Sequence, residues 1–299
     1  MITTTNKAPF MQVKNERYKA ICALVLCAAL WSIGGLLIKM VSLNPLAIAG
    51  MRSAIAALVM LAVIKKPKFT WSFAQIGGAV AYTGTVMMFV SANKMTTAAN
   101  AILLQYTAPI FVALLSWWFL KERVSAKDWI AIAIVMGGMV LFFVDDLQTG
   151  SFLGNIIAIL SGVSFAVQAI FMRMQKDGSP AESILLGNLL TALIGLPFMF
   201  QKIPTVSDIT GLVLLGVFQL GLAYALYSYA VKHVSALETI LIPVVEPILN
   251  PVWVFLFMGE APGFWALIGG LIVLVSITGR CVLAELGRGK AKGQQSTTF

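Results

Sequence analysis

The sequence predicts an all-α membrane protein of ten transmembrane helices, arranged as two inverted five-helix repeats. Three observations predict it: ten apolar runs of membrane-spanning length, basic residues segregated between alternate joints, and self-similarity at a fixed offset of 138 residues. Of the 299 residues, 59% are hydrophobic and only 11% charged, where a soluble domain carries about a quarter charged residues. An ordinary soluble globule is excluded.

A hydrocarbon core about 30 Å thick needs roughly 20 apolar residues per helix. Runs of that kind fall at 20–38, 45–64, 71–93, 98–120, 127–144, 152–172, 181–200, 207–231, 236–258 and 262–282. The joints between them are short and polar, so function has to reside among the helices. The first run has full spanning length and is followed at once by another, which favours a retained span over a cleaved signal peptide. This organises the chain as a tail at 1–19, a first repeat at 20–145, a second at 152–282 and a tail at 283–299. The tails are polar, rich in Thr, Lys, Gly and Gln, and are expected to be unstructured.

The net charge of +9 reports topology. Seventeen Lys and Arg residues flank the tails and even-numbered joints, among them Arg17, Lys65, Lys121, Arg123, Lys127, Arg173 and Arg280, against three, Lys39, Lys94 and Lys202, on the other side. By the positive-inside rule both termini are cytoplasmic, in a cytoplasmic (inner) membrane. Only Arg52 lies within a span, and nucleic acid is not an expected partner. Cys22, Cys27 and Cys281 form no CxxC or Cys/His group and read as buried small hydrophobes.

Lys94, Ala98, Ile102, Leu103, Pro109 and Glu122 recur without a gap as Lys232, Ala236, Ile240, Leu241, Pro247 and Glu260; at an offset of 134, Trp31 meets Phe165 and Lys39 meets Arg173. Each half then has five spans. Five is odd, so the second half enters the membrane from the opposite side. Inverted repeats are a signature of secondary transporters, because exchanging the conformations of two similar halves exchanges an outward-open for an inward-open cavity.

The run from Ala98 through Tyr106, Thr107, Ala108 and Pro109 to Lys121-Glu122-Arg123, repeated as Glu246-Pro247 through Gly259-Glu260, resembles the EamA-type transporters of the drug/metabolite transporter superfamily. Ala29-Leu30-Trp31-Ser32 and Arg52 also fit. The resemblance covers nearly the whole chain. It implies a ten-helix carrier, often an exporter, of amino acids, purines or related metabolites. The halves differ where Ala108 stands opposite Glu246, so any role of that carboxylate is asymmetric.

Candidate site residues follow from helix breaks and intramembrane polar groups. Pro243, Pro247 and Pro251 recur every four residues in span 9, each freeing a carbonyl one turn earlier, and freed carbonyls need a partner in lipid. Thr239, Pro243, Glu246, Asn250 and Trp253 share an arc of about 80° at 100° per residue. Glu246 is the acid near the centre of a span, a candidate proton carrier or partner of a substrate amine; a hydrogen bond to a neighbouring helix is the structural alternative. Arg52 could hold a substrate carboxylate, or cap carbonyls near a helix end. Trp31 on span 1, Ser164 and Gln168 on span 6, Tyr82 on span 3, Gln105 and Tyr106 on span 4, Tyr227 on span 8 and Asn250 on span 9 complete the list of substrate-binding candidates, and Thr85 on span 3 with Gln219 and Tyr224 on span 8 are further groups of which some should line a cavity. A cavity bordered by spans 1, 3, 4, 6, 8 and 9 is the expectation. Gly77-Gly78, Gly137-Gly138 and Gly269-Gly270 read as close helix contacts, and Trp71, Trp117, Trp118, Trp129 and Trp265 as interfacial anchors.

An intramembrane enzyme lacks the residues it would need. His233, the sole histidine, sits at a span end, there is no HExxH, and all five Asp residues lie at boundaries or in joints. No metal or cofactor is implied. A lipid or lipid-linked sugar flippase and a small-solute channel are the alternatives to a metabolite carrier. The expected partners are a small-molecule substrate, the bilayer and protons, with the chain working as a monomer.

Overall fold

The computed structural model describes residues 8–144, 151–178, 180–249 and 263–296. Among them every regular element is a helix. In chain order these are α1 (Ala8–Trp31), α2 (Gly34–Met40), α3 (Pro45–Ile64), α4 (Phe73–Met95), α5 (Ala98–Gln105), α6 (Ala108–Leu120), α7 (Ala126–Phe142), α8 (Phe152–Met174), α9 (Pro180–Met199) and α10 (Val206–Leu214). A π-helical segment (Leu215–Leu222), α11 (Ala223–Ala230), α12 (Ala236–Leu241), a 3₁₀ turn (Ile242–Val244) and α13 (Phe264–Ser296) follow.

Eight helices among the described residues are long and apolar enough to cross a membrane. The predicted spans 127–144 and 236–258 are not among the eight. α7 has only 17 helical residues, about 26 Å of rise, and residues 250–262 lie outside the described ones, with Asn250, Pro251, Trp253 and Glu260. The polar ends depart from expectation: α1 begins at Ala8 and α13 runs to Ser296. Ala, Lys, Glu and Arg are good helix formers, so each end helix continues outward.

Four predicted spans are interrupted. Between α1 and α2 the chain reads Ser32-Ile33-Gly34-Gly35, and the Ser32 hydroxyl donates to the Ala29 carbonyl at 2.7 Å, the Gly/Ser context in which helices kink. Between α5 and α6, Pro109 has no N–H for the Gln105 carbonyl. That carbonyl instead lies against Gly162 of α8, where a Cβ would come within 2.6 Å of it. Span 8 contains the π segment, and span 9 passes through the 3₁₀ turn holding Pro243 before helix resumes over 245–249. The break at Pro243 was expected. Pro247 sits within helical backbone.

The core is built by α4 on α8 and α9, α3 on α9 and the π segment, α1 on α11, and α6 on α8, while α7 packs mainly on α13. Small residues set these distances. A Cβ on Gly195 of α9 would lie 2.7 Å from both the Gly50 Cα and the Leu46 carbonyl oxygen of α3. Gly138 and Gly269 bring α7 and α13 together in the same way, whereas Gly137 has nothing within 4 Å and is not a contact residue. Cys22 is exposed, Cys27 buried and Cys281 intermediate, so burial holds fully for one of the three; Cys22 lies on an outer face of α1. Trp71, Trp117, Trp118, Trp129 and Trp265 are all exposed.

Charged groups gather at the two ends. At one, Lys39 donates to the Thr96 carbonyl, Lys94 to the Val41 carbonyl and Lys202 to the Ser42 carbonyl. At the other, Glu238 binds Arg17 at 2.7 Å and Arg280 at 2.6 Å, Arg280 also binds Asp128 at 2.9 Å, and Arg173 binds Glu122 at 3.0 Å. These pairs tie α1, α7, α12 and α13 together, and α8 to the joint after α6.

Candidate functional site

A small cavity of about 30 Å³ lies inside the bundle between these ends, room for about two waters. It is lined by Trp31, Arg52, Gln105, Gln219, Tyr224 and Glu246, with Thr85, Val86, Phe89, Phe165 and Leu220 closing it. The helix interruptions adjoin it. Trp31 ends α1, Gln105 ends α5, Gln219 and Leu220 lie in the π segment, and Glu246 follows the 3₁₀ turn by two residues. Backbone that leaves the helical ladder within a membrane is tolerated where it is buried in protein or lines a cavity.

Arg52 is buried without an anion among the described residues. Its Nη1 donates to the Gln219 Oε1 at 2.9 Å and its Nη2 approaches the Val86 carbonyl at 3.5 Å, while its Nε has no partner. It is 1% exposed, and no described carboxylate lies within salt-bridge distance. Glycines bring the π segment this close to α3: a Cβ on Gly216 would lie 2.8 Å from the Arg52 carbonyl oxygen. A buried guanidinium lacking a counter-charge is costly unless an anion visits it.

Glu246 faces the same cavity from span 9. The Tyr106 hydroxyl stands 2.7 Å from its Oε2 and 2.8 Å from the Pro243 carbonyl oxygen. That carbonyl is the one Pro247 leaves without a helical donor. Its counterpart at the repeat offset is the Gln105 carbonyl against Gly162, so the two halves solve the same backbone problem differently.

Aromatic rings form the third wall. Trp31 meets Phe165 edge-on at 5.8 Å, Tyr224 at 5.1 Å and Tyr227 at 5.7 Å, and Tyr224 meets Tyr82 at 4.8 Å. The Trp31 Nε1 is buried and has no partner. The Gln105 amide donates to the Ser161 hydroxyl at 2.8 Å, which donates to the Thr85 carbonyl at 3.1 Å.

Of the sequence candidates, Trp31, Arg52, Gln105 and Glu246 line the cavity, and Tyr106 stands behind Glu246. Tyr82, Ser164, Gln168 and Tyr227 are in the surrounding shell. Tyr82 donates to Asn188 Oδ1 at 2.9 Å, Ser164 to the Ala81 carbonyl at 2.9 Å, and the Gln168 amide faces the Met172 sulfur at 3.9 Å. Asn250 lies outside the described residues. Gln219, expected among the polar groups of span 8, lines the cavity as the acceptor on Arg52. Asn188 of α9, which sequence reasoning missed, anchors Tyr82; a lone Asn on an apolar span was the available signal, since an intramembrane Tyr needs such a partner. Span 2, through Arg52, borders the cavity in addition to the six expected.

A multi-pass helical bundle with charged and aromatic groups around an internal cavity is the architecture of a membrane transporter. The profile of the EamA-like transporter family matches residues 18–144 and again residues 152–279, and the chain belongs to that family. An uncharacterized transporter of Archaeoglobus fulgidus is 27% identical over 196 residues, covering 64% of this chain and 70% of its own. The pseudopaline exporter CntI of Pseudomonas aeruginosa is 27% identical over 184 residues, covering 60% and 64%. Solute carrier family 35 member G1 of Mus musculus is 23% identical over 287 residues, covering 86% and 77%. A solved crystal structure superposes with a TM-score of 0.75 over 89% of this chain and 97% of that one, at 19% identity, and so shares the fold. The family and these named relatives are transporters and not enzymes.

Proposed function

We propose that the protein is a monomeric secondary carrier that exports small metabolites across the cytoplasmic membrane by alternating access, with ten helices in two inverted halves and both termini cytoplasmic. The substrate class best supported is an amino-acid-like zwitterion, ahead of purines or simple amines. One observation carries this: Arg52 and Glu246, of opposite charge, line one buried cavity, form no salt bridge with each other, and leave Arg52 without an anion. A carboxylate answers Arg52, an ammonium answers Glu246, and Trp31 with Tyr224 offers a face for the remainder.

The helix contacts support the inverted halves. Span 2 packs on span 7 and span 5 on span 10, while span 1 on span 8 mirrors span 6 on span 3. A two-fold axis relating the halves produces that set. The clustering of Lys39, Lys94 and Lys202 at one end supports the orientation, and the exporter among the relatives supports the direction. The cavity is far below the roughly 300 Å³ of a small-molecule site, so loading requires the halves to part.

Hydrogen-bond accounting supports a proton as coupling partner. A phenol has one proton, so Tyr106 can donate to Glu246 or to the Pro243 carbonyl, not to both. When Glu246 carries its own proton it donates to the phenol oxygen, and Tyr106 is free to satisfy the carbonyl. Proton binding at Glu246 would thereby switch which backbone group of the broken helix is satisfied.

The test is counterflow in proteoliposomes with labelled amino acids, competed by unlabelled amino acids, purines and amines. Arg52→Gln should weaken carboxylate-bearing competitors by about 10- to 150-fold, the worth of a hydrogen bond to a charged group, and leave simple amines unchanged. Glu246→Gln should abolish the pH dependence. Intact variants with wild-type competition and pH profiles overturn the assignment, and flux that neither saturates nor accelerates with counter-substrate indicates a channel.

A further inference from the structure

A second, larger cavity is unrelated to the buried one. It is a groove of about 1030 Å³ where the paired α7 and α13 stand off the inner ends of α6 and α12. Its rim is charged. Glu122, Asp128 and Glu238 line it, and each is already committed to an arginine. Arg123 and Lys127 also line it, are exposed, and have no ion-pair or hydrogen-bond partner among the described residues. The unpaired charge at the rim is therefore purely positive. Below the rim the walls turn apolar and face outward, with Ile130 59%, Ile134 45% and Val275 62% exposed. At the inner wall, the Ser116 hydroxyl of α6 is buried without a partner. Trp117, Trp118 and Trp129 flank the rim and place it at the level of lipid headgroups.

We propose that this groove binds one anionic phospholipid of the leaflet on the side of the chain termini. The phosphate lies between Arg123 and Lys127, and an acyl chain runs along Ile130, Ile134 and Val275. A basic pocket between transmembrane helices that continues into an outward-facing apolar wall matches a headgroup joined to a chain; a soluble anion uses only the rim. The lipid fills the gap beside the α7–α13 pair, whose link to α12 at this end is Arg280 on Glu238. Calling this leaflet cytoplasmic rests on the orientation proposed above; the groove itself does not.

The test uses the full-length protein, purified and stripped of lipid in a neutral detergent. It is titrated with dioleoylphosphatidylglycerol or dioleoylphosphatidylcholine, and retained lipid is counted by native mass spectrometry. One phosphatidylglycerol should be retained in preference to phosphatidylcholine, and excess inorganic phosphate should not displace it. The double variant Arg123→Gln, Lys127→Gln alters two exposed, unpartnered side chains and should weaken retention about fivefold for each cation removed. Gly279→Trp fills the groove from a position where a Cβ meets nothing within 4 Å, and should abolish retention with the cations intact. Equal retention of the two lipids, or retention unchanged in the double variant, overturns the site even if Gly279→Trp does not fold. Displacement by inorganic phosphate alone overturns it in favour of a soluble anion. Phosphatidylglycerol retention needs no substrate, so its absence overturns the lipid site and leaves the carrier reading standing; absent counterflow does the reverse.

Discussion

Replacing Tyr106 by Phe removes one oxygen and touches two partners. The hydroxyl lies 2.8 Å from the Pro243 carbonyl and 2.7 Å from Glu246. When Glu246 is protonated both bonds exist at once, the acid donating to the phenol oxygen and the phenol to the carbonyl. A buried carbonyl left without a donor costs about 1–3 kcal/mol, and a neutral hydrogen bond contributes about 0.5–1.5 kcal/mol. At acid pH, Tyr106→Phe should therefore destabilise the protein by about 1.5–4.5 kcal/mol. In a Glu246→Leu background the second contribution is already gone, and the same substitution should cost only about 1–3 kcal/mol. The difference, about 0.5–1.5 kcal/mol, is the interaction energy of a double-mutant cycle, measured by chemical unfolding of the four purified proteins in detergent at acid pH. Contacting residues couple at that level, whereas independent sites add within about 0.3–0.5 kcal/mol. Additivity within about 0.3 kcal/mol would refute the claim that Tyr106 bridges Glu246 to the broken helix.

Gly195→Ala should lower stability by about 1–3 kcal/mol through overpacking, because the new Cβ meets backbone of α3 at 2.7 Å; Gly137→Ala meets nothing and should stabilise α7 by about 0.5–1 kcal/mol. Thermal melts of the two variants should shift in opposite directions, and a shared direction would contradict the packing described. Glu238→Gln deprives Arg17 and Arg280 of their common carboxylate and should destabilise that end by about 3 kcal/mol or more. In a Cys22→Ser, Cys281→Ser background, the buried Cys27 should then react faster with a water-soluble maleimide, and an unchanged rate would mean that the network does not hold that end closed.

Spans were legible wherever a run of apolar residues met a charged joint, because length and charge are local properties. Helix interruptions were legible only where a residue lacks an N–H, as at Pro243. The π segment has no such mark: Gly216 and Gly221 let span 8 approach Ile55 and Val59 of α3, and that is a tertiary fact. For the site, Arg52, Glu246, Trp31 and Gln105 stood out because polar or aromatic groups at mid-span are conspicuous. Ser164 stood out for the same reason yet serves a contact with α4, since periodicity gives a face and not its neighbour. Asn188 gained meaning only from Tyr82 across the bundle, and Gln219, conspicuous on span 8, took its particular role from Arg52.

The crossing of α3 and α9 at Gly50 and Gly195 has a mechanical consequence. Under the proposed exchange of halves, spans 2 and 7 change places with each other, so their mutual contact maps onto itself and can persist through both states. Contacts such as α1 on α11 have to trade geometry with α8 on α4. A crossing where backbone meets backbone, with only the flexible end of Met199 set against Gly50 among its nearest neighbours, suits a fulcrum: the two rods can tilt about it with little repacking. Arg52 lies two residues from Gly50 on α3, close to that fulcrum, where a given rotation displaces it least. A substrate carboxylate bound there would stay nearly still while the walls around it turned.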